Sequence, residues 1–598
     1  MQQQTTPQET YKQQVTFHSH LLQKLKRKRS NIGWLRLVIV LAILLLIYSL
    51  FFKNLVITWL LVAVGIAVFL YVISIDADNN DKIADVERML FINNEELSIL
   101  SGNYHNREDG LSFLPHEHPY AGDIDLFGTA SIYQYVNRCT SEQSKKMLAA
   151  VLLEGSERPA IIDRQAAAKN LSADWHWRQK LQSTGMANPL TFATEEKMKF
   201  WLSVPKPLQQ PFWKILPVIF TTITLATLGA YLFDWIGSSA FWLLVFAYFL
   251  FAKYTSSKVL QTYTALSKIE GELNTLHKQL LLVERLASSS PLLDSFKKIL
   301  VSEKAGTEGI RKLKEILKRF DFRLNLLVFF ILNTFFLWDV RQTLSLNKWK
   351  EKFEASVPEW FKILAEIELI NTLATLTFNH PDWSFPVIAD QHFTLKGEQI
   401  GHPLINEKKR VDNSFAIEGN GKVAIITGSN MAGKSTFLRS VAVNLVLAQI
   451  GAPVCAKAFT FSPVKLYSSM RIADNLAENT STFYAELKKL KSIIDQVKQH
   501  KQIFILLDEI LRGTNSLDRH TGSEALIRQL IREQAVAVIA THDIELANLY
   551  KANEDAVSNY HFDVQVEGEE LYFDYKLKKG ICQSMNASLL MKKIGIEM

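Results

Sequence analysis

Apolar residues come in blocks along this chain, and the blocks differ in period. Near the start, two nearly unbroken runs, Leu37 to Phe52 and Leu55 to Ile75, are separated only by Lys53 and Asn54. The second is long enough to cross the hydrocarbon of a bilayer, and the first reaches that length when Trp34 and Arg36 sit at the interface with Arg36 snorkelling. Residues 33–75 therefore predict a transmembrane hairpin. A cleaved signal peptide does not fit: the basic stretch lies too far in, the runs are paired, and no small-residue cleavage site follows. A second pair, Ile215 to Phe233 and Trp235 to Ala252, is flanked by Lys206 and Lys214 before and by Lys253 and Lys258 after, and predicts another hairpin over 206–254. A buried soluble helix pair is the competing reading, but Asp234 and the turn Gly237-Ser-Ser mark a short exposed loop between the runs. A third run, Leu324 to Trp338, is interrupted by Asn325 and Asn333. It is short for a span and predicts a core or interfacial helix.

The remaining blocks are periodic. Residues 76–205 are polar and mostly helical in period, and 255–384 carry long amphipathic stretches such as Leu260 to Leu286, read as bundle helices in preference to a coiled-coil arm. From about Phe385 short β-branched strands alternate with helices, which predicts a parallel α/β sheet over 385–598.

Composition changes this picture in two places. At 598 residues the chain exceeds what one core can organise, and Cys139, Cys455 and Cys582 are too far apart for a metal spacing, so they read as reduced thiols. The formal charge of +7 is concentrated in the tail 1–32, where Lys12, Lys24, Lys26, Arg27, Lys28 and Arg29 face only Glu9. That basic tail keeps the amino terminus cytoplasmic, and two short-looped hairpins return the chain to the same face. The body is nearly balanced and carries no bulk nucleic-acid footprint.

The candidate chemistry lies at Gly428-Ser429-Asn430-Met431-Ala432-Gly433-Lys434-Ser435-Thr436, between the apolar run Val423 to Ile426 and the helical run Phe437 to Leu447. This strand, glycine loop and helix fit the phosphate-cradle pattern at every fixed position. Backbone N–H groups and the helix start face phosphate oxygens, Lys434 reaches the β- and γ-phosphates, and Ser435 ligates Mg²⁺. A strand Ile503 to Leu507 delivers Asp508 and Glu509 at its carboxyl end, and a strand Ala535 to Ala540 delivers His542. Asp508 is placed for the Mg²⁺ shell, Glu509 as general base for water, and His542 as a γ-phosphate contact. The predicted reaction is in-line ATP hydrolysis.

These residues resemble the MutS mismatch-repair ATPases, of the ABC-type branch of P-loop proteins. The likeness is carried by Thr427 to Thr436, Ala448-Gln449-Ile-Gly-Ala-Pro-Val454, Asn479-Thr-Ser-Thr-Phe-Tyr-Ala-Glu486, Leu506 to Asp518 and Ala540-Thr-His542. Weaker likeness extends to Gly401 to Ile405, Val411 to Asn413, Lys576 to Ala587, Asp123-Ile-Asp-Leu-Phe-Gly128, Asn137 to Thr140, Ile162 to Gln165 and Glu366 to Ala374. The resemblance implies a nucleotide contact at Gln449, a homodimer through the ATPase domains with Ser481 and Thr482 approaching the partner's nucleotide, a helical core and lever over 76–205 and 255–384, and DNA as partner. Three departures stand beside it. No mismatch-reading domain or aromatic-x-Glu motif precedes the core, the second hairpin interrupts the core-to-lever connection, and Arg471-Ile-Ala-Asp-Asn475 replaces the usual Arg-Gly-Ala-x-Asp text. The reading is a membrane-anchored, multi-pass ATPase with cytoplasmic soluble domains acting on mismatched or branched DNA. The alternative is an ABC-like mechanical ATPase that acts on membrane or protein partners without DNA.

Overall fold

The structure, a computed structural model, describes residues 6–50, 55–257, 266, 269–302, 306–429, 432–471, 482–499, 502–552, 554–567 and 570–582. The chain forms two compact units. One takes in Met1–Leu97, Cys139–Lys145 and Asp174–Leu369; the other takes in Ser98–Arg138, Lys146–Ala173 and Ile370–Met598.

The first unit is helical. Its opening helix runs Pro7–Leu50 without a break, so most of the basic tail is helix, where the apolar pattern alone had marked no packed element. Local chemistry explains the start. Thr6 N–H donates to Glu9 Oε2 at 3.0 Å while Glu9 N–H donates to Thr6 Oγ1 at 3.2 Å, a reciprocal capping box with Pro7 in the first turn. No glycine or proline follows until Gly33, so good helix formers carry the element into the apolar run. Its partner helix, Leu55–Leu100, packs antiparallel, as the order of cross-links shows: Arg36 to Asp76 at 3.1 Å, Asn79 Nδ2 to the Leu25 carbonyl at 3.2 Å and Lys26 to Glu87 at 2.9 Å. The two-residue turn predicted at Lys53-Asn54 lies outside the described residues.

The second pair of apolar helices is Pro211–Leu232 and Ser238–Ser257, joined across their faces by Thr227 Oγ1 and Tyr248 Oη at 2.8 Å and by stacking of Phe220 on Phe251. Four described helices are thus long and apolar enough to cross a membrane. The third run becomes a separate helix, Leu326–Phe336, capped by the Asn325 side chain and ended by Leu337 in the left-handed region at φ 48°. This unit also holds the helices Trp175–Gly185 and Phe192–Ser203, the start of Val357–Asn379, and a bundle of Glu270–Glu284, Pro291–Val301, Gly306–Phe320 and Trp338–Phe353 closed on buried Leu276, Leu280, Leu313, Leu317 and Trp349. Of the amphipathic stretch Leu260 to Leu286, the described part is bundle helix.

The second unit holds two sheets. The strands are β1 (Val387–Ile388), β2 (Thr394–Ile400), β3 (Asn413–Glu418), β4 (Val423–Gly428), β5 (Ala458–Phe461), β6 (Lys465–Ser469), β7 (Ile503–Asp508), β8 (Val536–Thr541), β9 (Val557–Glu567) and β10 (Glu570–Lys579). A smaller sheet has the order β1-β5-β2-β3; the larger has β10-β9-β4-β8-β7-β6 and is parallel from β9 through β6. Every residue of β4, β7 and β8 is buried, because helices cover both faces of such a sheet and apolar side chains are needed above and below it. Segment 98–138 joins this unit through Asp123, whose carboxylate accepts from Ser468 Oγ at 2.6 Å, Lys489 Nζ at 2.8 Å and the Arg471 amide at 3.1 Å.

Candidate active site

The register of the large sheet decides which residues meet. Thr427 lies beside Thr541 and Asp508 beside Ala540, so β4, β7 and β8 end level and open their loops at one edge. In parallel sheets that edge is where ligands bind. The loop after β4 begins at Gly428 with φ 149°, where an added Cβ would lie 2.8 Å from the Phe562 carbonyl oxygen, and closes at Gly433 with φ 102°, where a Cβ would lie 3.1 Å from the Tyr575 ring. Both glycines are required, one by close backbone approach and one by its left-handed conformation. Gly433 then caps the helix Lys434–Gln449.

Lys434 is buried, and its Nζ donates to the carbonyls of Gly428 at 2.8 Å and Ser429 at 3.0 Å and lies 3.3 Å from His542 Nε2. Burial pulls its pKa down to about 8, against the opposing pull of Glu509 and Asp508. Asp508 is 6% exposed. Desolvation raises its pKa, the Ser435 hydroxyl bond opposes that, and its Oδ1 has no hydrogen-bond partner among the described residues. A buried carboxylate with one oxygen satisfied by a serine and one left over is a donor set suited to a hard divalent cation such as Mg²⁺.

Glu509 sits just past the strand end at φ 50°, held there by its amide, which donates to the Ala540 carbonyl at 2.9 Å. Its side chain is clamped by His542 Nε2 at 2.5 Å and Arg512 Nε at 3.0 Å. The His542 hydrogen bond, helped by the charges of Arg512 and Lys434, keeps the carboxyl below its usual range despite desolvation. An ionised carboxylate, a buried ammonium, a histidine and an unpartnered acidic oxygen therefore converge at one strand-end edge. The arrangement can polarise an anionic ester and accept a proton from water.

Of the other residues singled out from the sequence, Ala432, Ser435 and Thr436 follow in the loop and first helical turn, and Thr482 opens the helix Thr482–Gln499. Asn430, Met431 and Ser481 lie outside the described residues. Gln449 is a correction. It ends the helix that Lys434 begins, fifteen residues and about 22 Å away, and its Oε1 accepts the Val464 amide at 2.9 Å. The local text placed Gln449 near the nucleotide, but an unbroken helix carries it to the opposite end.

Two residues went unassigned in the sequence. Arg512 stands in the quoted stretch after Glu509. Glu486 closes the quoted stretch from Asn479; it is 3% exposed and accepts the amides of Leu511 and, at 3.2 Å, Arg512. Burial raises its pKa and the two amides oppose the shift. Only the fold brings the helix of Glu486 against the loop that carries Glu509.

Residues 424–593 match the family model described as MutS domain V. The DNA mismatch repair protein MutS of Thermotoga petrophila is 31% identical over 241 residues, 39% of this chain and 30% of that protein. That of Persephonella marina is 32% identical over 235 residues, 39% of this chain and 26% of the relative. The human MutS protein homolog 4 is 32% identical over 250 residues, 39% of this chain and 26% of the relative. The matched region spans under a third of each relative's length.

Proposed function

We infer, from the membership of this chain in the MutS family through residues 424–593, that it is a membrane-anchored ATPase that couples ATP hydrolysis to DNA binding. The observation that carries the catalytic part is the convergence of Lys434, Asp508, Glu509 and His542 at the level ends of β4, β7 and β8. In this reading the amides of 428–436 and the Lys434 ammonium hold the triphosphate. Ser435 and Asp508 hold Mg²⁺, which when bound neutralises phosphate charge. Glu509 takes a proton from the water attacking the γ-phosphorus as the bond to the ADP oxygen breaks, and His542 and Arg512 fix the orientation of that carboxylate. Ser481 and Thr482 of a second copy complete the site, which makes the ATPase a dimer.

The membrane reading rests on the four long apolar helices, on the paired packing of each hairpin and on the basic amino-terminal segment. It places the soluble parts on the cytoplasmic face. The DNA reading rests on what the relatives' names say of them, and on the levers implied by the resemblance. A protein acting on membrane or protein partners without DNA is the second reading, favoured by the nearly balanced charge of the body. The full chain in detergent decides between them when ATP turnover and DNA affinity are measured together across a salt series. Affinity that falls steeply with salt and is altered by ATP supports the DNA reading. ATP turnover with no DNA binding at any salt supports the second, and absent turnover refutes both.

A further inference from the structure

The helix Leu326–Phe336 has eleven residues, about 16 Å, half of what a bilayer's hydrocarbon requires. Its outer face is bare: Leu326 is 80% exposed, Leu327 77% and Ile331 53%. Its inner face is stitched to the second hairpin. Asn333 Nδ2 donates to the Ala252 carbonyl at 3.4 Å, Thr224 Oγ1 donates to the Phe335 carbonyl at 2.8 Å, and the rings of Phe330 and Phe249 lie 5.5 Å apart. Ala252 and Phe249 are one and four residues before Lys253 on their helix, so the short helix meets that helix about 2–6 Å inside the level of Lys253.

Non-helical backbone at such a depth survives only where protein covers it, and here it is covered. Leu337, which breaks the helix, is fully buried, and the Asp339 amide donates to Asn333 Oδ1 at 3.3 Å. Asp339 itself accepts from Ser256 Oγ. Arg341 donates to the carbonyls of Phe336 and Pro217 and to Thr221 Oγ1, each at 2.9 Å. The Phe335 and Phe336 carbonyls and the Asp339 amide at the break are thus satisfied inside the unit, while Thr334 Oγ1 and Asp339 Oδ1 are buried with no partner among the described residues and the outward surface stays hydrocarbon.

Between this helix and Ser238–Ser257 lies a cavity of about 380 Å³ walled by Phe249, Leu326, Leu327, Phe329 and Phe330, with exposed Lys253 at its edge. Lys253 has no ion-pair partner among the described residues, and Lys318 and Arg319 precede the short helix in sequence. An apolar slot of small-molecule size with an uncommitted ammonium at headgroup depth matches one ligand chemistry, a hydrocarbon chain bearing an anionic head. We propose that Leu326–Phe336 is embedded in the cytoplasmic leaflet as a third, non-spanning membrane element, and that its slot against Ser238–Ser257 holds one acyl chain of an anionic phospholipid with the phosphate on Lys253. The proposal rests on the membrane reading above, and the experiment separates the two.

Single cysteines are placed at Leu327, at Trp242 in the proposed span and at exposed Lys408 in the full chain with Cys139, Cys455 and Cys582 replaced by serine, and the protein is reconstituted into phosphatidylcholine–phosphatidylglycerol vesicles. A membrane-impermeant maleimide is expected to modify Lys408→Cys and to spare the other two. Rapid modification of Leu327→Cys with Trp242→Cys protected overturns the embedding alone; modification of Trp242→Cys as well overturns the membrane reading itself. For the slot, a fluorophore on Leu327→Cys in detergent is titrated with brominated phosphatidylglycerol, brominated phosphatidylcholine and soluble glycerol phosphate. Quenching at least tenfold tighter for phosphatidylglycerol, lost in a Lys253→Gln background, is the expected result. Equal quenching by both lipids, an unchanged response in Lys253→Gln, or competition by glycerol phosphate alone overturns the lipid site.

Discussion

Replacing Glu509 by glutamine separates water activation from nucleotide binding. The carboxylate meets His542 at 2.5 Å and Arg512 at 3.0 Å, and both contacts are donors to oxygen. The two contacts fall on different oxygens, His542 on Oε1 and Arg512 on Oε2. Glutamine keeps its amide oxygen for Arg512 and turns its NH2 to His542, whose ring nitrogen accepts in the other tautomer, and it fits the same left-handed backbone position, so the loop between β7 and the next helix keeps its shape. What disappears is the proton acceptor. General-base contributions run at about 10²–10⁴ in rate, or ~3–5 kcal/mol of barrier, so Glu509→Gln is expected to lower turnover by about that factor. Binding changes little, because Glu509 only assists Lys434 through space and the ammonium keeps its two carbonyl partners. Phosphate release under saturating ATP and equilibrium binding of a fluorescent ATP analogue measure the two effects on the same detergent-solubilised protein. Parental turnover in the variant would send the search for the base elsewhere. A loss of ATP affinity beyond about tenfold, ~1.4 kcal/mol, would make Glu509 part of the cradle instead.

Lys434→Ala removes the buried cation facing the phosphates and is expected to weaken ATP binding by about 30-fold or more; unchanged affinity would refute the site. The pH dependence of the parent carries a sign of its own. Lys434 in the free protein is lowered from 10.5 to about 8, so its charge is intact near pH 7 and lost as pH rises through 8. ATP affinity should therefore fall about tenfold between pH 7 and pH 9, whereas the cost of burying the ammonium, present below pH 8, is relieved toward 10.5; a flat affinity profile contradicts this. Glu486→Ala leaves the amides of Leu511 and Arg512, which donate to its two separate oxygens, without their acceptors, each worth about 1–3 kcal/mol, and hydrogen exchange at those two amides should accelerate while Glu486→Gln, with one acceptor oxygen, restores protection at only one of them. On DNA, residues 1–122 carry no aromatic-x-Glu text, and this chain's preference for a single mismatch over homoduplex is expected to stay under about tenfold; a larger ratio in a competition titration would show that another segment reads the lesion.

What the sequence determined by itself was whatever is written in consecutive residues. The apolar blocks of the two hairpins, the loop from Gly428 to Thr436 and the strand ends before Asp508 and His542 each depend on side chains a few positions apart, so local pattern is enough to read them. The tertiary structure decided everything that depends on two distant segments meeting. Only the register of β4, β7 and β8 puts Glu509, 75 residues after Lys434, into one site with it and with His542. Only the length of one helix removes Gln449 from that site, although its neighbours in sequence resemble nucleotide-site text. The salt link from Arg36 to Asp76, the docking of Asp123 on Ser468 and Lys489, and the grip of Glu486 on the loop after β7 likewise join residues whose separation carries no periodic signal. The third apolar run shows the boundary most directly. Its composition says that it must avoid water, but whether protein or lipid covers it is set by which of its faces the second hairpin occupies, and that is a property of packing in three dimensions.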